Sequence, residues 1–221
     1  MYRDKKLWGL LEYKPQWTLS LKGWLLLLIL LALCLRILVT RIQPFLAVQT
    51  PVKEAEILLI EGWIGDPAVE KAVVEFHQGN YQLIIATGTK LYRGSFLSDY
   101  ETYGDITAAT LVKLGIPPEK IQIIPSPNSE KNRTAAAALA VKNWVNKYYP
   151  QLKALNIYSF DVHTRRSQWI YQKVFGKEVK IGAIACLNLY YDPQKWWASS
   201  AGFRSVTEEG IAYFYARFFW H

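Results

Sequence analysis

The chain has 221 residues, a formal net charge of +8, and a composition that is 51% hydrophobic and 14% aromatic. Its only two cysteines, Cys34 and Cys186, exclude a disulfide framework and a metal site built from cysteine thiolates. The positive charge suits an anionic membrane surface or a phosphorylated ligand, although solvated surface lysines explain it more simply. Because the basic residues are scattered and no recognition module is visible, nucleic acid is not an expected partner.

An apolar run over residues 21–39 dominates the N-terminal part of the chain. It has no charged side chain from Gly23 to Leu35, and its length is close to the roughly 20 residues that a spanning helix needs. Arg36 lies near one end, where its long side chain reaches the lipid headgroups. We therefore predict a transmembrane helix over residues 21–40, in contact with the lipid bilayer.

Three alternatives to a permanent anchor fit this run less well. A cleaved signal peptide needs small residues around its cleavage site, and Ala47 has no small partner two residues away. A lipoprotein signal needs a small residue before its cysteine, whereas the bulky Leu33 precedes Cys34. A core helix of a soluble protein would show one apolar face, and this run shows no amphipathic face.

The charges that flank the run predict its orientation. Five lysines and arginines lie at or before its start, whereas Arg41 and Lys53 on the other side are soon offset by two glutamates. The positive-inside rule then places residues 1–20 in the cytoplasm. A proline-broken linker over residues 41–54 leads to a domain over residues 55–221 on the outer face. These features together predict a single-pass membrane protein.

After residue 55 the chain alternates short β-branched runs with longer segments of helical periodicity. This alternation is typical of a parallel sheet joined by right-handed helical crossovers. The predicted strands cover residues 57–60, 83–86, 121–124, 155–159 and 179–185. The predicted helices cover residues 66–78, 100–114 and 131–148, a segment ending near Gly176, and a last segment from about Thr207. The sequence therefore predicts an α/β fold, a Rossmann-like doubly wound parallel sheet of about five strands, behind one transmembrane helix.

Two of the predicted helices have local start signals. Asp66 followed by Pro67 is typical of a helix cap and first turn. Ser205, with Glu208 three residues later, predicts a capping box for the last helix.

Polar residues gather where the predicted strands end. In an open parallel sheet, ligands bind at this edge, where helix N-termini offer free N–H groups and a partial positive charge to an anion. Arg166 can clamp such an anion with its planar guanidinium. The predicted ligand-binding residues are Glu61, Gly62, Thr87, Gly88, Thr89, Ser126, Asn128, Ser129, Asn132 and Arg166.

Each of these residues also has a purely structural explanation. A glycine directly after a strand, such as Gly88, commonly forms part of a turn. Ser126 or Asn128 can cap a helix. His163 follows the fourth predicted strand, close to the acid Asp161 and to two arginines. It fits a hydrogen-bonded structural histidine as well as it fits a proton-transfer residue.

Two motifs in these loops resemble a known family. Ser126-x-Asn128-Ser129-x-x-Asn132 is followed some thirty residues later by His163-x-x-Arg166. The pattern is similar to that of the bacterial envelope proteins grouped as DUF218, which include ElyC, SanA and YdcF-like members, and it covers about residues 57–182. The resemblance implies a Rossmann-like sandwich, an N-terminal anchor in many members, and a role in envelope biogenesis that is linked in some members to lipid-carrier or peptidoglycan metabolism.

The chain departs from the family motif at several positions. Lys131 stands where the motif has a glutamate, and the adjacent Glu130 is the candidate to replace that acid. Other departures are Ser129 for threonine, Thr87-Gly88-Thr89 for S-G-G, Glu61-Gly62-Trp63 for a glycine turn, and Ser159-Phe160 for T-S. The resemblance therefore implies a retained frame for an anion and leaves catalysis open.

Two hypotheses for function follow. The first is a protein that binds, or as a hydrolase or transferase processes, a phosphorylated or lipid-carrier-linked envelope intermediate. His163 is then the general acid or base, and Glu130, Asp99 or Glu101 is a second carboxylate. The second is a noncatalytic scaffold or regulator whose aromatic C-terminal region meets a membrane-protein partner. The sequence identifies no cofactor, and it shows no His or Asp cluster with metal-ligand spacing.

Overall fold

The computed structural model describes residues 19–92, 94–127, 129, 132–186 and 188–220. The chain divides into two units after Val39, so that the second unit begins at Thr40. The helices are α1 (Leu21–Leu46), α2 (Asp66–Gln78), α3 (Tyr103–Lys113), α4 (Arg133–Tyr148), α5 (Thr164–Phe175) and α6 (Ser200–Phe219). The strands are β1 (Ile57–Glu61), β2 (Leu83–Gly88), β3 (Ile121–Pro125), β4 (Ala154–Phe160) and β5 (Lys180–Cys186).

Helix α1 contains the predicted span and is long and apolar enough to cross a membrane. No residue of its most apolar window is buried, whereas the core helix of a soluble protein would be mostly buried. The helix continues six residues beyond the predicted end at position 40, and Pro44 lies in its last turn. Pro44 therefore does not stop the helix, which ends at Leu46.

The segment predicted as a linker, residues 41–54, packs on the α/β unit. Leu46 and Val48 are only 1% and 5% exposed. Thr50 forms an antiparallel bridge with Ala183 of β5, donating its N–H to the Ala183 carbonyl over 2.8 Å. The folded unit thus begins about fifteen residues before the predicted domain start at residue 55.

The five strands form one parallel sheet in the order β3-β2-β1-β4-β5. Successive residues of each central strand face opposite sides of the sheet, because side chains in a strand have a period of two. Leu59 packs in the cluster with α4 and α5, whereas Leu58 packs in the cluster with α2 and α3. Helices therefore cover both faces, and the predicted doubly wound α/β fold is confirmed.

The strand order reverses between β1 and β4, which are neighbours although two strands separate them in sequence. β1 ends at Glu61 and leads to α2, whereas β4 ends at Phe160 and leads to α5. Because these two helices pack on opposite faces of the sheet, the loops after β1 and β4 diverge. A crevice at the carboxyl ends of such a pair is the usual ligand position in this fold class.

Both predicted cap residues are wrong in position, although the predicted first-turn proline of α2, Pro67, is confirmed. The N-cap of α2 is Gly65, so Asp66 lies inside the first turn. Helix α6 begins at Ser200, and the Ser199 hydroxyl caps it by accepting the Gly202 N–H over 3.0 Å. Close packing accompanies this cap, since a Cβ atom at Gly202 would lie 2.4 Å from the Trp196 carbonyl oxygen. The predicted capping-box serine, Ser205, is therefore an interior helix residue.

Candidate functional site

A cavity of about 640 Å³ lies at the carboxyl ends of the strands. The loops after β1, β2, β3 and β4 contribute to its walls, together with α4, α5 and α6. The lining residues are Glu61, Trp63, Thr87, Gly88, Thr89, Tyr92, Tyr103, Ser126, Asn132, Arg133, Thr134, Ala137, His163, Arg166 and Glu209. The crevice selected by the sheet topology is thus a formed cavity.

The cavity gathers most of the residues predicted as ligand-binding or catalytic. Eight of them line it: Glu61, Thr87, Gly88, Thr89, Ser126, Asn132, His163 and Arg166. Gly62 and Ser129 are described but do not line it. Asn128 and Glu130 lie outside the described residues, so their predicted roles stay predictions. Asp99 and Glu101 line a different cavity, beside α3.

Two of the predicted glycines have a packing role. A Cβ atom at Gly62 would lie 2.7 Å from the Tyr103 carbonyl oxygen, and one at Gly88 would lie 2.8 Å from the Gly104 nitrogen. The Gly62 N–H also donates to the Thr87 carbonyl over 2.6 Å. These glycines let the N-terminus of α3 approach the ends of β1 and β2, and Gly88 in addition lines the cavity.

His163 occupies the centre of a network of charged side chains. Its Nδ1 lies 3.0 Å from Glu209 Oε1 and 2.8 Å from Arg166 Nη2. Its Nε2 lies 3.7 Å from Glu61 Oε2. The indole of Trp63 meets the imidazole edge to face, with ring centroids 5.0 Å apart. The imidazole is therefore oriented by contacts on both nitrogens and on its ring.

This geometry accommodates both protonation states of the imidazole. In the neutral ring with the proton on Nε2, Nδ1 accepts a hydrogen bond from Arg166, and the Nε2–H points toward Glu61. In the protonated ring, the Nδ1–H donates to Glu209 and the Nε2–H still faces Glu61, while the Arg166 Nη2 donor, 2.8 Å from Nδ1 in this structure, has to turn away from it. A histidine that keeps partners in both states can pass a proton in either direction.

Glu209 is the residue that holds this network together. Its carboxylate accepts hydrogen bonds from Arg166 Nε and Nη2, each over 2.9 Å, in a bidentate ion pair. Burial alone would raise the pKa of the Glu209 carboxyl. The hydrogen bonds and charges of His163 and Arg166 outweigh burial and lower that pKa to about 2. Glu209 is therefore a carboxylate at neutral pH.

The second carboxylate, Glu61, is held below the cavity floor. Glu61 is 5% exposed, and it accepts hydrogen bonds from the hydroxyls of Ser159 and Ser167, the latter over 2.7 Å. The two serines come from β4 and α5, so this buried acid links β1 to the two elements that flank His163. Hydrogen bonds to a buried carboxylate offset the cost of its desolvation.

Asp161, which is close to His163 in sequence, turns away from it. Asp161 has a left-handed backbone with φ of 43° and is 3% exposed. Its carboxylate accepts hydrogen bonds from Gln43 over 3.0 Å, from Asn188 over 3.2 Å, and from the hydroxyl of Tyr191. The acid beside the histidine in sequence therefore stabilises the packing of residues 43 and 188–191, while acids from β1 and α6 face the imidazole.

The opposite wall of the cavity is suited to an anion. Helix α4 has 16 residues, and its N-cap, Asn132, has left-handed backbone angles and makes no side-chain cap. The first N–H groups of a helix have no partner within the helix, so those that no side chain caps can bind a ligand, and the helix dipole favours negative charge there. Arg133 follows directly, with its guanidinium 5.7 Å from the centroid of the Tyr92 ring. Thr87, which is 2% exposed, lines the same cavity, and its buried hydroxyl has no hydrogen-bond partner among the described residues.

Sequence reasoning missed seven lining residues, namely Trp63, Tyr92, Tyr103, Arg133, Thr134, Ala137 and Glu209. Arg133 could have been predicted from its position, because it follows Asn132 at the start of a predicted helix. Glu209 could not, because it lies 43 residues after Arg166, in a helix that the sequence describes only as aromatic. Arg166 was expected to clamp an anion, but two of its guanidinium nitrogens pair with Glu209 instead.

Among the residues that the structure describes, no group of three or more His, Cys, Asp or Glu side chains has the arrangement of a metal site. Comparisons of the chain with protein-family models, with curated proteins and with solved structures give no match. The fold and the chemistry of the cavity are therefore the basis for assigning a function.

Proposed function

We propose that this protein is anchored in the bacterial inner membrane and binds a phosphorylated cell-envelope intermediate on the outer face. The observation that carries the proposal is the wall formed by three parts: the N-terminus of α4, which the side chain of its N-cap residue does not cap, Arg133, and Thr87. The buried hydroxyl of Thr87 has no partner among the described residues. The apolar helix α1 and the resemblance to DUF218 proteins support the location and the envelope role.

The ligand's phosphoryl group is assigned to the α4 wall rather than to Arg166. A buried hydroxyl without a partner costs stability, so a ligand oxygen that reached the Thr87 hydroxyl would remove this cost. Helix N–H groups and a guanidinium supply the other donors that a phosphate needs. Arg166 is neutralised by Glu209, which leaves Arg133 as the lining arginine for which no carboxylate partner is found in the described residues.

His163 gives this site the means to process the ligand as well as bind it. In a hydrolase or transferase, an acceptor oxygen attacks the phosphorus, and the leaving oxygen takes the electron pair of the broken P–O bond. His163 would give a proton to that leaving oxygen, or take one from the acceptor, with Glu61 and Glu209 stabilising the imidazolium. Glu209 fills the position of second carboxylate that the sequence assigned to Glu130, Asp99 or Glu101.

A second candidate function is a noncatalytic scaffold for a membrane-protein partner. The observation that favours it is the exposed apolar surface of α6. Six side chains there are more than half exposed, namely Phe203, Ile211, Phe214, Tyr215, Phe218 and Phe219. Apolar patches of this kind often mark interaction sites. The scaffold requires no ligand in the cavity, and it predicts that cavity substitutions leave the envelope phenotype unchanged.

Binding of phosphate compounds to the full-length protein tests the proposal. We expect methyl phosphate to stabilise the protein held in an amphipathic polymer, in a thermal shift monitored by tryptophan fluorescence. Thr87→Val should weaken that binding by about fivefold or more while leaving stability unchanged or higher, because it removes an unsatisfied hydroxyl. Arg133→Ala should weaken it further, and the exposed Lys113→Ala is the matched control.

Processing and location need separate measurements. If His163 moves a proton, His163→Ala should lower turnover by about a hundredfold or more with little change in ligand affinity. A cysteine introduced by Glu54→Cys, in a chain whose native cysteines are replaced, should react with an impermeant reagent in intact cells. Reaction only after lysis would place the domain in the cytoplasm, and absence of binding by any phosphate compound would refute the ligand-binding function.

A further inference from the structure

A second, mostly apolar groove of about 460 Å³ adjoins the cavity. It lies between α4, α5 and α6, and it shares Asn132, Thr134 and Arg166 with the cavity lining. Its other lining residues are Ala135, Ile170, Glu208, Ile211, Ala212, Tyr215, Ala216 and Trp220. The shared residues make the groove an extension of the candidate phosphate site.

The groove changes from polar to apolar along α5 and α6. At the mouth, Arg166 of α5 pairs with Glu209 of α6. Farther along, the Lys173 ammonium donates to the Trp220 carbonyl over 2.6 Å. Both helices therefore run in the same direction away from the cavity. The α6 residues from 208 to 219 cover about 16 Å at 1.5 Å per residue.

Small side chains keep the groove open. Ala135 of α4 and Ala212 of α6 line it, and between them they leave room that larger side chains would fill. Ile170 lies one helical turn beyond Arg166 on the same face of α5. Trp220 lines the apolar end, and its ring contacts that of Trp169 with centroids 5.8 Å apart. A narrow apolar groove that starts at an anion site fits one hydrocarbon chain.

We propose that this groove binds the apolar chain of a single-chain lipid phosphate whose phosphoryl group occupies the adjoining cavity. The inference rests on the proposed phosphate-binding function and narrows its ligand class. The chain's own apolar span supports this ligand class, since it keeps the protein beside a source of lipids. Each methylene group that the groove buries should strengthen binding by roughly fourfold.

A series of monoalkyl phosphates tests the inference on the full-length protein in an amphipathic polymer. We expect octyl phosphate to bind at least about tenfold more tightly than methyl phosphate, since several of its methylene groups become buried. Ala212→Phe, which fills the groove, should abolish this gain and leave methyl phosphate binding unchanged. Ala109→Phe, a half-buried alanine in the unrelated cavity beside α3, is the matched control and should keep the gain. Ala135→Leu is a second groove-filling variant, in case the larger side chain at Ala212 prevents folding.

The outcomes separate the two proposals. If methyl phosphate binds but chain length has no effect, the groove inference fails and the phosphate site stands. If the gain persists in both groove-filling variants, the chain binds elsewhere and the inference also fails. If octyl trimethylammonium binds as tightly as octyl phosphate, the groove is a nonspecific apolar surface, which again overturns the inference. If no phosphate compound binds, both proposals fall.

Discussion

Glu209→Gln is the substitution that tests the charged network most directly. It removes the negative charge that Arg166 contacts twice at 2.9 Å and His163 contacts at 3.0 Å. The pKa of the Glu209 carboxyl is lowered from the ordinary value of 4.5 to about 2, although burial opposes the change. A difference of that size corresponds to roughly 3 kcal/mol of folding free energy.

The sign of the pH dependence follows from the lowered pKa. The contribution of Glu209 to stability is fully present above the unfolded-state pKa, near 4.5, and it is lost as the pH falls toward the folded-state pKa of about 2. We therefore expect Glu209→Gln to be less stable than the natural chain by roughly 3 kcal/mol near neutral pH. This difference in the free energy of unfolding should disappear as the pH approaches about 2.

Denaturant unfolding of the full-length protein, followed by tryptophan fluorescence from about pH 6 to about pH 2, measures this difference. Glu208→Gln is the control, because it makes the same chemical change at the exposed neighbouring residue. It should change the stability by no more than about 0.5 kcal/mol. A difference for Glu209→Gln that stays constant over this pH range, or no difference at all, would refute the coupling between Glu209 and its cationic partners.

Three further predictions concern the folded unit. A fragment starting at Thr40 should be about 3–6 kcal/mol more stable to denaturant than one starting at Pro51, because the shorter fragment loses two core side chains; equal stability would contradict the packing of residues 41–50. Gly88→Ala should lower the free energy of unfolding by about 1–3 kcal/mol. The control Gly65→Ala, whose added Cβ atom would lie 3.8 Å from its nearest neighbour, should lower it by less than about 0.5 kcal/mol. Burial raises the pKa of the Cys186 thiol to about 12, so a thiol reagent near neutral pH should label it only after unfolding; rapid labelling of the folded protein would be inconsistent with its burial.

The sequence determined the fold class and the edge of the sheet at which the cavity lies. Apolar runs such as residues 57–60 have a length and a composition that only a buried parallel strand satisfies, when helical segments alternate with them. Polar residues after those runs then had to meet at one edge, because the carboxyl ends of parallel strands point the same way. Thr87, His163 and Arg166 were found by this reasoning, and all three line the cavity.

The partners of those residues were decided only by tertiary packing. Local sequence paired His163 with Asp161, but a positive φ at Asp161 turns its carboxylate toward Gln43. The acids that face His163 are Glu61 and Glu209, and the position of Glu209 depends on where α6 begins and how it packs against α5. Helix α6 in turn starts at the Ser199 cap, and Gly202 beside this cap packs closely against the Trp196 backbone. Such contacts join residues far apart in the chain, so no local pattern encodes them. The strand pattern therefore fixes where the site lies, and long-range packing fixes which charges meet there.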